Sequence, residues 1–168
     1  MDNLSNGDES FMRLALKQAY LGKSISGAGE VGCVIVKGNQ VVAEGFTQAE
    51  MRSDPTAHAE IVAMRNLAER WKTVDLWDCT LYCTLQPCGM CSMACIWANI
   101  GRIVYGATRA DVNSIYFEVR QLNTSDFVRD AFKADSQVVG GVLAKECSAL
   151  YLKKFEPVPR DKLESSAR

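Results

Sequence analysis

Two short stretches of the chain contain the residue types that bind metals and move protons. His58-Ala59-Glu60 includes the single histidine of the chain, and Pro87-Cys88-Gly89-Met90-Cys91 includes a Cys-x-x-Cys pair. Each stretch lies where a helix is predicted to begin, and the unpaired N–H groups of a helix start favour a negative thiolate sulfur. One imidazole and two thiolates leave the fourth position of a tetrahedral zinc ion open for water, as in catalytic zinc sites.

Glu60 is the expected proton carrier of such a site. Bound zinc lowers the pKa of water far below its bulk value, and a glutamate outside the ligand set can accept the released proton and pass it on. Residues two apart on a regular helix do not share a face. We therefore expect His58 and Glu60 to lie in the first turn and to approach the water from different sides.

Each of these features has a plainer explanation when taken alone. A lone histidine is often structural, Cys88 and Cys91 could form a redox pair or half of a structural zinc site, and Glu60 could simply favour a helix N-terminus. Together and in this order they match the signature of the zinc deaminases. If the chain were a redox protein, His58 and Glu60 would have no role. If it were a catalytically silent zinc-binding scaffold, neither Glu60 nor an open position on the zinc ion would be needed.

Composition places limits on the class of protein. The 168 residues suit one domain with an ordinary soluble balance, 48% hydrophobic and 23% charged. No apolar run approaches the ~20 residues that span a bilayer, and the polar N-terminus is unlike a targeting signal. We therefore expect a cytoplasmic protein that does not bind membranes. A net charge of −1 argues against a large nucleic-acid surface without excluding one.

Seven cysteines without an export signal favour metal binding or catalysis over a disulfide framework. Five of them are expected to be small core hydrophobes because they lie within apolar patterns. These five are Cys33, Cys79, Cys83, Cys95 and Cys147.

Hydrophobic spacing and turn residues predict the elements that position the two stretches. Helices are predicted over residues 11–21 (ended by Gly22), 56–70 (with Thr56 as N-cap), 87–99, 112–122 and 142–155, with a loop or helix over 126–133. Strands are predicted over 33–36 and 41–43, joined as a hairpin, and over 80–85, 102–105 and 137–139. The alternation predicts an α/β fold, a three-layer α/β/α sandwich with a mixed five-stranded sheet. Residues 1–10 are expected to be flexible, 11–156 to form the domain, and 157–168 to be a solvated polar tail.

From residue 11 to residue 155 the chain resembles the cytidine deaminase-like superfamily. It is most similar to the branch of guanine, cytosine and tRNA adenosine deaminases, and the likeness is strongest over residues 54–60 and 80–91. The resemblance implies the cytidine deaminase-like fold, a zinc ion, a homodimer, and hydrolytic release of ammonia from an amino-substituted nucleobase or related heterocycle. Guanine is the first substrate expected. Cytosine, a nucleoside, or adenosine in tRNA are alternatives, and an inactive zinc scaffold is the non-enzyme alternative.

The resemblance also points to residues that contact the substrate, and the chain departs from the branch at two positions. Thr47 stands where the branch usually has an asparagine that hydrogen-bonds the base, and Gln86 replaces the usual glutamate before Pro-Cys. A hydroxyl offers different donors and acceptors from an amide, so the substrate could differ. The other substrate-binding candidates are Trp97, Asn99, Asp111 and Glu118.

Overall fold

A mixed five-stranded sheet forms the centre of the computed structural model, which describes residues 7–117, 122–131 and 135–165. The strands are β1 (Gly32–Lys37), β2 (Gln40–Phe46), β3 (Cys79–Leu85), β4 (Arg102–Ala107) and β5 (Gln137–Val139). Their order is β2-β1-β3-β4-β5. β1 pairs antiparallel with β2 and β3, whereas β3–β4 and β4–β5 pair in parallel. The predicted mixed sheet is confirmed.

Helices cover both faces of this sheet. They are α1 (Asp8–Lys23), α2 (Ala49–Arg52), α3 (Ala59–Trp71), α4 (Gly89–Trp97), α5 (Thr124–Asp130), α6 (Ala144–Ser148) and α7 (Arg160–Ser165), with a 3-10 turn at Ser114–Tyr116. Side chains of a strand alternate between faces. Cys33 and Ile35 therefore join the core under α3 and α4, while Val34 packs with α1 and α6. The three-layer α/β/α architecture is thus confirmed.

The opening hairpin forms where the sequence predicts it. Gly38 and Asn39 both adopt positive φ, 54° and 67°, which is the backbone of the two-residue turns that suit the twist of paired strands. The β1–β2 pair extends to Phe46, three residues beyond the predicted end. Thr47 therefore directly follows the sheet.

Three predicted helix boundaries in the first half of the chain are wrong. Helix α1 begins at Asp8 instead of residue 11, and it continues through Gly22 to Lys23. Gly22 does not end the helix; a Cβ there would lie 2.3 Å from the carbonyl oxygen of Gly29, so the glycine allows the helix and the following loop to approach closely. Thr56 does not cap α3, because His58 occupies the N-cap position and the Thr56 hydroxyl donates to Asp54.

The second half of the chain is less helical than predicted. Of the helix expected over 112–122, residues 112–117 form only the 3-10 turn, since the Asn113 side chain accepts from Ile115 and donates to the carbonyl groups of residues 153 and 156. Residues 118–121 of this prediction lie outside the described residues. The expected helix over 142–155 is reduced to α6, because Tyr151 turns inward and its hydroxyl meets that of Thr84 at 2.7 Å. The predicted tail is not wholly solvated, since α7 forms and Lys162 pairs with Glu30.

The five cysteines expected in the core are all buried, each at most 1% exposed, and all seven cysteines of the chain are free thiols. Among the described residues no helix has the length and apolarity needed to cross a membrane. The division into flexible N-terminus, domain and tail stays a prediction, although Asp8 is already helical and buried.

Candidate active site

His58 is positioned by a hydrogen-bonded loop and by the start of α3. The Asp54 carboxylate accepts from the Thr56 N–H at 2.8 Å and from the Thr56 hydroxyl at 2.6 Å, and Arg65 donates to its second oxygen at 3.0 Å. These bonds hold the pKa of Asp54 at about 2. The loop delivers His58 in extended conformation, with φ −68° and ψ 158°, to the N-cap of α3.

The two cysteines lie at the start of α4, which follows α3 in the chain with only strand β3 between them. Cys88 is the N-cap residue, also extended, and Cys91 is the third residue of the helix. Because α3 and α4 both follow chain segments that leave the same end of the sheet, their first turns meet. Cys88 Sγ lies 3.7 Å and Cys91 Sγ 3.6 Å from His58 Nδ1.

These three side chains fit a zinc ion. Their ligand atoms all lie within 4.8 Å of one another. Tetrahedral zinc with ordinary Zn–N and Zn–S bonds places nitrogen and sulfur about 3.6 Å apart, which agrees with both observed distances. Imidazole and thiolate are also ligands that zinc prefers. Three protein ligands match the number found in catalytic zinc sites and leave one tetrahedral position for a water or substrate atom.

The thiols of Cys88 and Cys91 differ in pKa. The Cys91 thiol, together with His58, lowers the pKa of Cys88 to about 4. The bond to Cys88 and its own burial raise the pKa of Cys91 well above the usual value. The pair therefore holds one thiolate at neutral pH, and metal binding releases the second proton.

Glu60 lies beside this trio as the second residue of α3, and only 3% of it is exposed. Burial raises its pKa above the usual value, although the nearby His58 lowers it. Since His58 is extended and precedes the helix whereas Glu60 is inside the first turn, the two side chains reach the same place from different backbone directions. His58 at the N-cap and Glu60 in the first turn therefore lie together at the start of α3, and their approach to the water from different sides stays a prediction.

A cavity of about 430 Å³ opens onto these groups. This volume lies in the range of small-molecule sites. His58, Glu60 and Cys88 line it together with Thr47, so the structure brings Thr47 to the site as the sequence predicts. Thr47 is fixed there by its backbone, which accepts from Gly29 N–H at 2.9 Å and donates to the Val31 carbonyl at 3.1 Å.

Gln86, the second departure from the branch, also lines the cavity and is buried. Its Oε1 accepts from the backbone N–H of Arg109 at 3.1 Å, and its Nε2 donates to Asn123 Oδ1 at 3.0 Å. A glutamate carboxylate could accept the first bond but could not donate the second. The amide therefore joins the loop after β4 to the N-cap of α5.

Three further substrate-binding candidates do not reach this cavity. The cavity-lining residues of the described chain do not include Trp97, Asn99 or Asp111. Trp97 is 82% exposed near the end of α4, Asn99 adopts positive φ after that helix and donates to Asp75, and Asp111 accepts from Thr108 within its own turn. Glu118 lies outside the described residues.

Sequence reasoning missed several residues of the cavity wall. Glu30 comes from the loop before β1, and Tyr116 and Phe117 come from the segment around the 3-10 turn. The Tyr116 hydroxyl donates to Glu30 at 3.1 Å. The one sequence signal for Glu30 was its charge inside a glycine-rich loop. For Tyr116 and Phe117, which fall in the helix predicted over 112–122, no sequence signal indicated a place in the site.

Comparison with known proteins agrees with this geometry. Residues 5–107 match the family model of the cytidine and deoxycytidylate deaminase zinc-binding region. The tRNA-specific adenosine deaminase of Haemophilus influenzae is 37% identical over 150 residues, which cover 86% of this chain and 80% of that protein.

Two solved structures are similar to the chain in both sequence and fold. One is from a study of A-to-I editing by tRNA:A34 deaminases, with a TM-score of 0.72, 29% identity, and coverage of 84% of this chain and 98% of that one. The other is the guanine deaminase of Bacillus subtilis, with a TM-score of 0.59, 30% identity, and coverage of 78% and 73%. The matched family region contains His58, Cys88 and Cys91, the three residues that could hold the metal ion, and these relatives are deaminases. The chain therefore belongs to the cytidine and deoxycytidylate deaminase family and is a zinc-type deaminase, a hydrolase of C–N bonds.

Proposed function

We propose that the protein releases ammonia by hydrolysis from an amino-substituted nucleobase or related heterocycle, with His58, Cys88 and Cys91 as zinc ligands and Glu60 as the proton carrier. The observation that carries this proposal is the meeting of the three candidate ligands, two of which line one cavity together with the buried carboxylate of Glu60. When bound, zinc supplies an activated water at the open ligand position.

Glu60 performs the proton transfers of this reaction. Its burial favours the protonated form once a proton has been accepted. It would take one proton of the attacking water and deliver it to the ring nitrogen next to the reacting carbon. It would then take the proton left on the added hydroxyl and give it to the amine, which leaves as ammonia while the carbonyl of the product forms. Thr47 contributes a hydroxyl to the same wall, which can donate to or accept from the ring.

Guanine or a similar free amino-heterocycle is the first substrate we propose. The net charge of −1 provides little excess cation for a polyanion, and the cavity wall includes the carboxylate of Glu30. Adenosine in tRNA is the second candidate, because the 37% identity to the H. influenzae tRNA enzyme favours it. That likeness also weighs against the expectation that nucleic acid is an unlikely partner.

We further propose a homodimer and a cytoplasmic location. α4 exposes Met90, Met93 and Trp97, which are 37%, 38% and 82% exposed. Their spacing places them on one side of the helix, where a second copy could cover them. The seven free thiols suit a reducing compartment.

Ammonia release by zinc-loaded protein tests the substrate proposal. The compounds are guanine, adenine, cytosine, their nucleosides, amino-pterin and amino-triazine analogues, and a tRNA with adenosine in the anticodon. Turnover of a free heterocycle or nucleoside supports the first substrate class. Turnover of tRNA alone selects the second candidate, and silence on every compound with one zinc per chain contradicts the proposed function.

A further inference from the structure

Glu30 is held rigidly in the wall of the active-site cavity. It lies between Gly29 and Val31, whose backbone groups both bond Thr47, at 2.9 and 3.1 Å. These two bonds continue the pairing of the β1–β2 hairpin beyond its last strand residues. Glu30 therefore lies beside the Thr47 backbone, and both residues line the same cavity as Glu60.

Two side chains from distant parts of the chain hold the Glu30 carboxylate. Lys162 Nζ donates to Oε1 at 3.0 Å, and the Tyr116 hydroxyl donates to the same oxygen at 3.1 Å. Lys162 also lies over the Tyr116 ring, 5.6 Å from its centroid. Burial by itself raises the pKa of Glu30, but the hydrogen bond and charge of Lys162 outweigh it and the pKa falls below the usual value. The group is thus a carboxylate at neutral pH.

An ionised carboxylate only accepts hydrogen bonds. Among the described residues, both side-chain donors that contact Glu30 bond Oε1, and the Glu30 backbone N–H also bonds the carboxylate. Two carboxylate oxygens offer about four acceptor positions, so one remains for a further donor. A ligand in the cavity that offers an N–H or O–H to this wall gains a charge-assisted bond. A ligand that brings a phosphate there meets a like charge.

We propose that Glu30 is a specificity-determining residue that accepts a hydrogen bond from an N–H or O–H group of the substrate, on the side away from the carbon that loses its amine. The site therefore takes an uncharged, donor-bearing heterocycle at this wall and disfavours one that carries phosphate there. This inference rests on the proposed deaminase function and narrows its substrate class. The donor is a ring N–H in a free base or a sugar hydroxyl in a nucleoside.

The matched variants are Glu30→Gln and Lys162→Met. Both remove the Glu30–Lys162 ion pair, and Lys162→Met leaves the carboxylate in place. Thermal unfolding of each variant measures how much stability is lost with the ion pair, a loss that both variants should show. A difference in substrate preference between them therefore reports on the carboxylate and not on the loss of the ion pair.

The experiment measures kcat/KM with zinc-loaded protein on four forms of the base that the wild type deaminates. These are the free base, its derivatives methylated at one ring N–H each, the ribonucleoside and the 5′-monophosphate. We expect the wild type to be about tenfold slower on one methylated form or on the monophosphate, the size of one charge-assisted hydrogen bond. Glu30→Gln should remove most of this difference, and Lys162→Met should keep it.

The pattern of preference identifies the donor. If kcat/KM differs between the base and a methylated base, and this difference depends on Glu30, the donor is the ring N–H. If kcat/KM differs in this way between the nucleoside and the base, the donor is the sugar hydroxyl. An unchanged ranking within twofold in Glu30→Gln, or an equal change in Lys162→Met, overturns the inference. Wild-type activity on tRNA alone overturns it while leaving the deaminase function intact, and inactivity on every compound overturns both.

Discussion

Cys91 and Cys95 lie one turn apart on α4 and are both fully buried, yet they have different chemical surroundings. Cys91 faces His58 at 3.6 Å. Cys95 belongs to the hydrophobic core under α3, where burial raises its pKa and keeps it a neutral thiol. Both cysteines belong to this core, but Cys91 also faces His58 and is therefore the candidate metal ligand of the two.

The pair makes a direct test of the ligand assignment. Cys91→Ala removes one of three ligands, so we expect bound zinc to fall from one per chain to below a tenth after dialysis, measured by atomic absorption. Cys95→Ala should keep one zinc per chain, because it removes only core packing. Equal zinc content in the two variants would contradict the assignment.

At the scale of elements, a buried ion pair fixes α1 to the sheet. Asp8, 1% exposed, accepts from Arg102 of β4 at 2.7 and 2.8 Å and from the Tyr82 hydroxyl of β3 at 2.8 Å. The Arg102 side chain is 15% exposed. Removing one partner of a buried pair leaves the other charge without compensation, which is strongly destabilising.

We expect Asp8→Ala to lower the free energy of unfolding by about 3 kcal/mol, measured by urea denaturation. Glu9→Ala is the matched control, because its neighbouring carboxylate pairs with Arg13 at the surface and such pairs contribute less than about 1 kcal/mol. A loss for Asp8→Ala no larger than for Glu9→Ala would show that the pair does not hold α1 in place.

A helix or strand can be predicted from the sequence when the interactions that form it are local in the chain. The strands and the cores of α3 and α4 were predictable because apolar periodicity records which face they bury. The helix expected from residue 112 does not form over the described residues 112–117, because Asn113 bonds carbonyl groups of residues 153 and 156. No local pattern shows such partners.

The candidate site shows the same limit. His58, Cys88, Cys91 and Glu60 were found together because their order is a known signature. Glu30 was missed because its partners Tyr116 and Lys162 lie 86 and 132 residues further along the chain. Trp97 was expected to contact the substrate nucleobase, but it lies outside the cavity lining of the described chain.

At the scale of the whole molecule, the exposed side of α4 is the interface that we propose for a second copy of the chain. Trp97 is 82% exposed, one or two turns beyond Met90 and Met93 on the same side of the helix. Burial of a large aromatic side chain at an interface contributes strongly to association, and a charge there would be desolvated without a partner.

Trp97→Glu should therefore convert a dimer into a monomer in sedimentation velocity at micromolar concentration. Trp77→Glu is the control, since Trp77 is also exposed, at 52%, but lies outside α4. A monomeric wild type, or a Trp97→Glu protein that remains dimeric, would contradict the proposed interface.

The most direct test of the whole account is the turnover of zinc-loaded Glu60→Gln on the substrate that the wild type deaminates. Glutamine keeps the shape of the side chain but cannot carry the proton. The account predicts one zinc per chain and a kcat lowered by roughly 10² or more. Glu69→Gln, an exposed position on the same helix, should retain kcat within about twofold. Wild-type turnover by zinc-loaded Glu60→Gln would show that Glu60 does not carry the proton and would contradict the proposed mechanism.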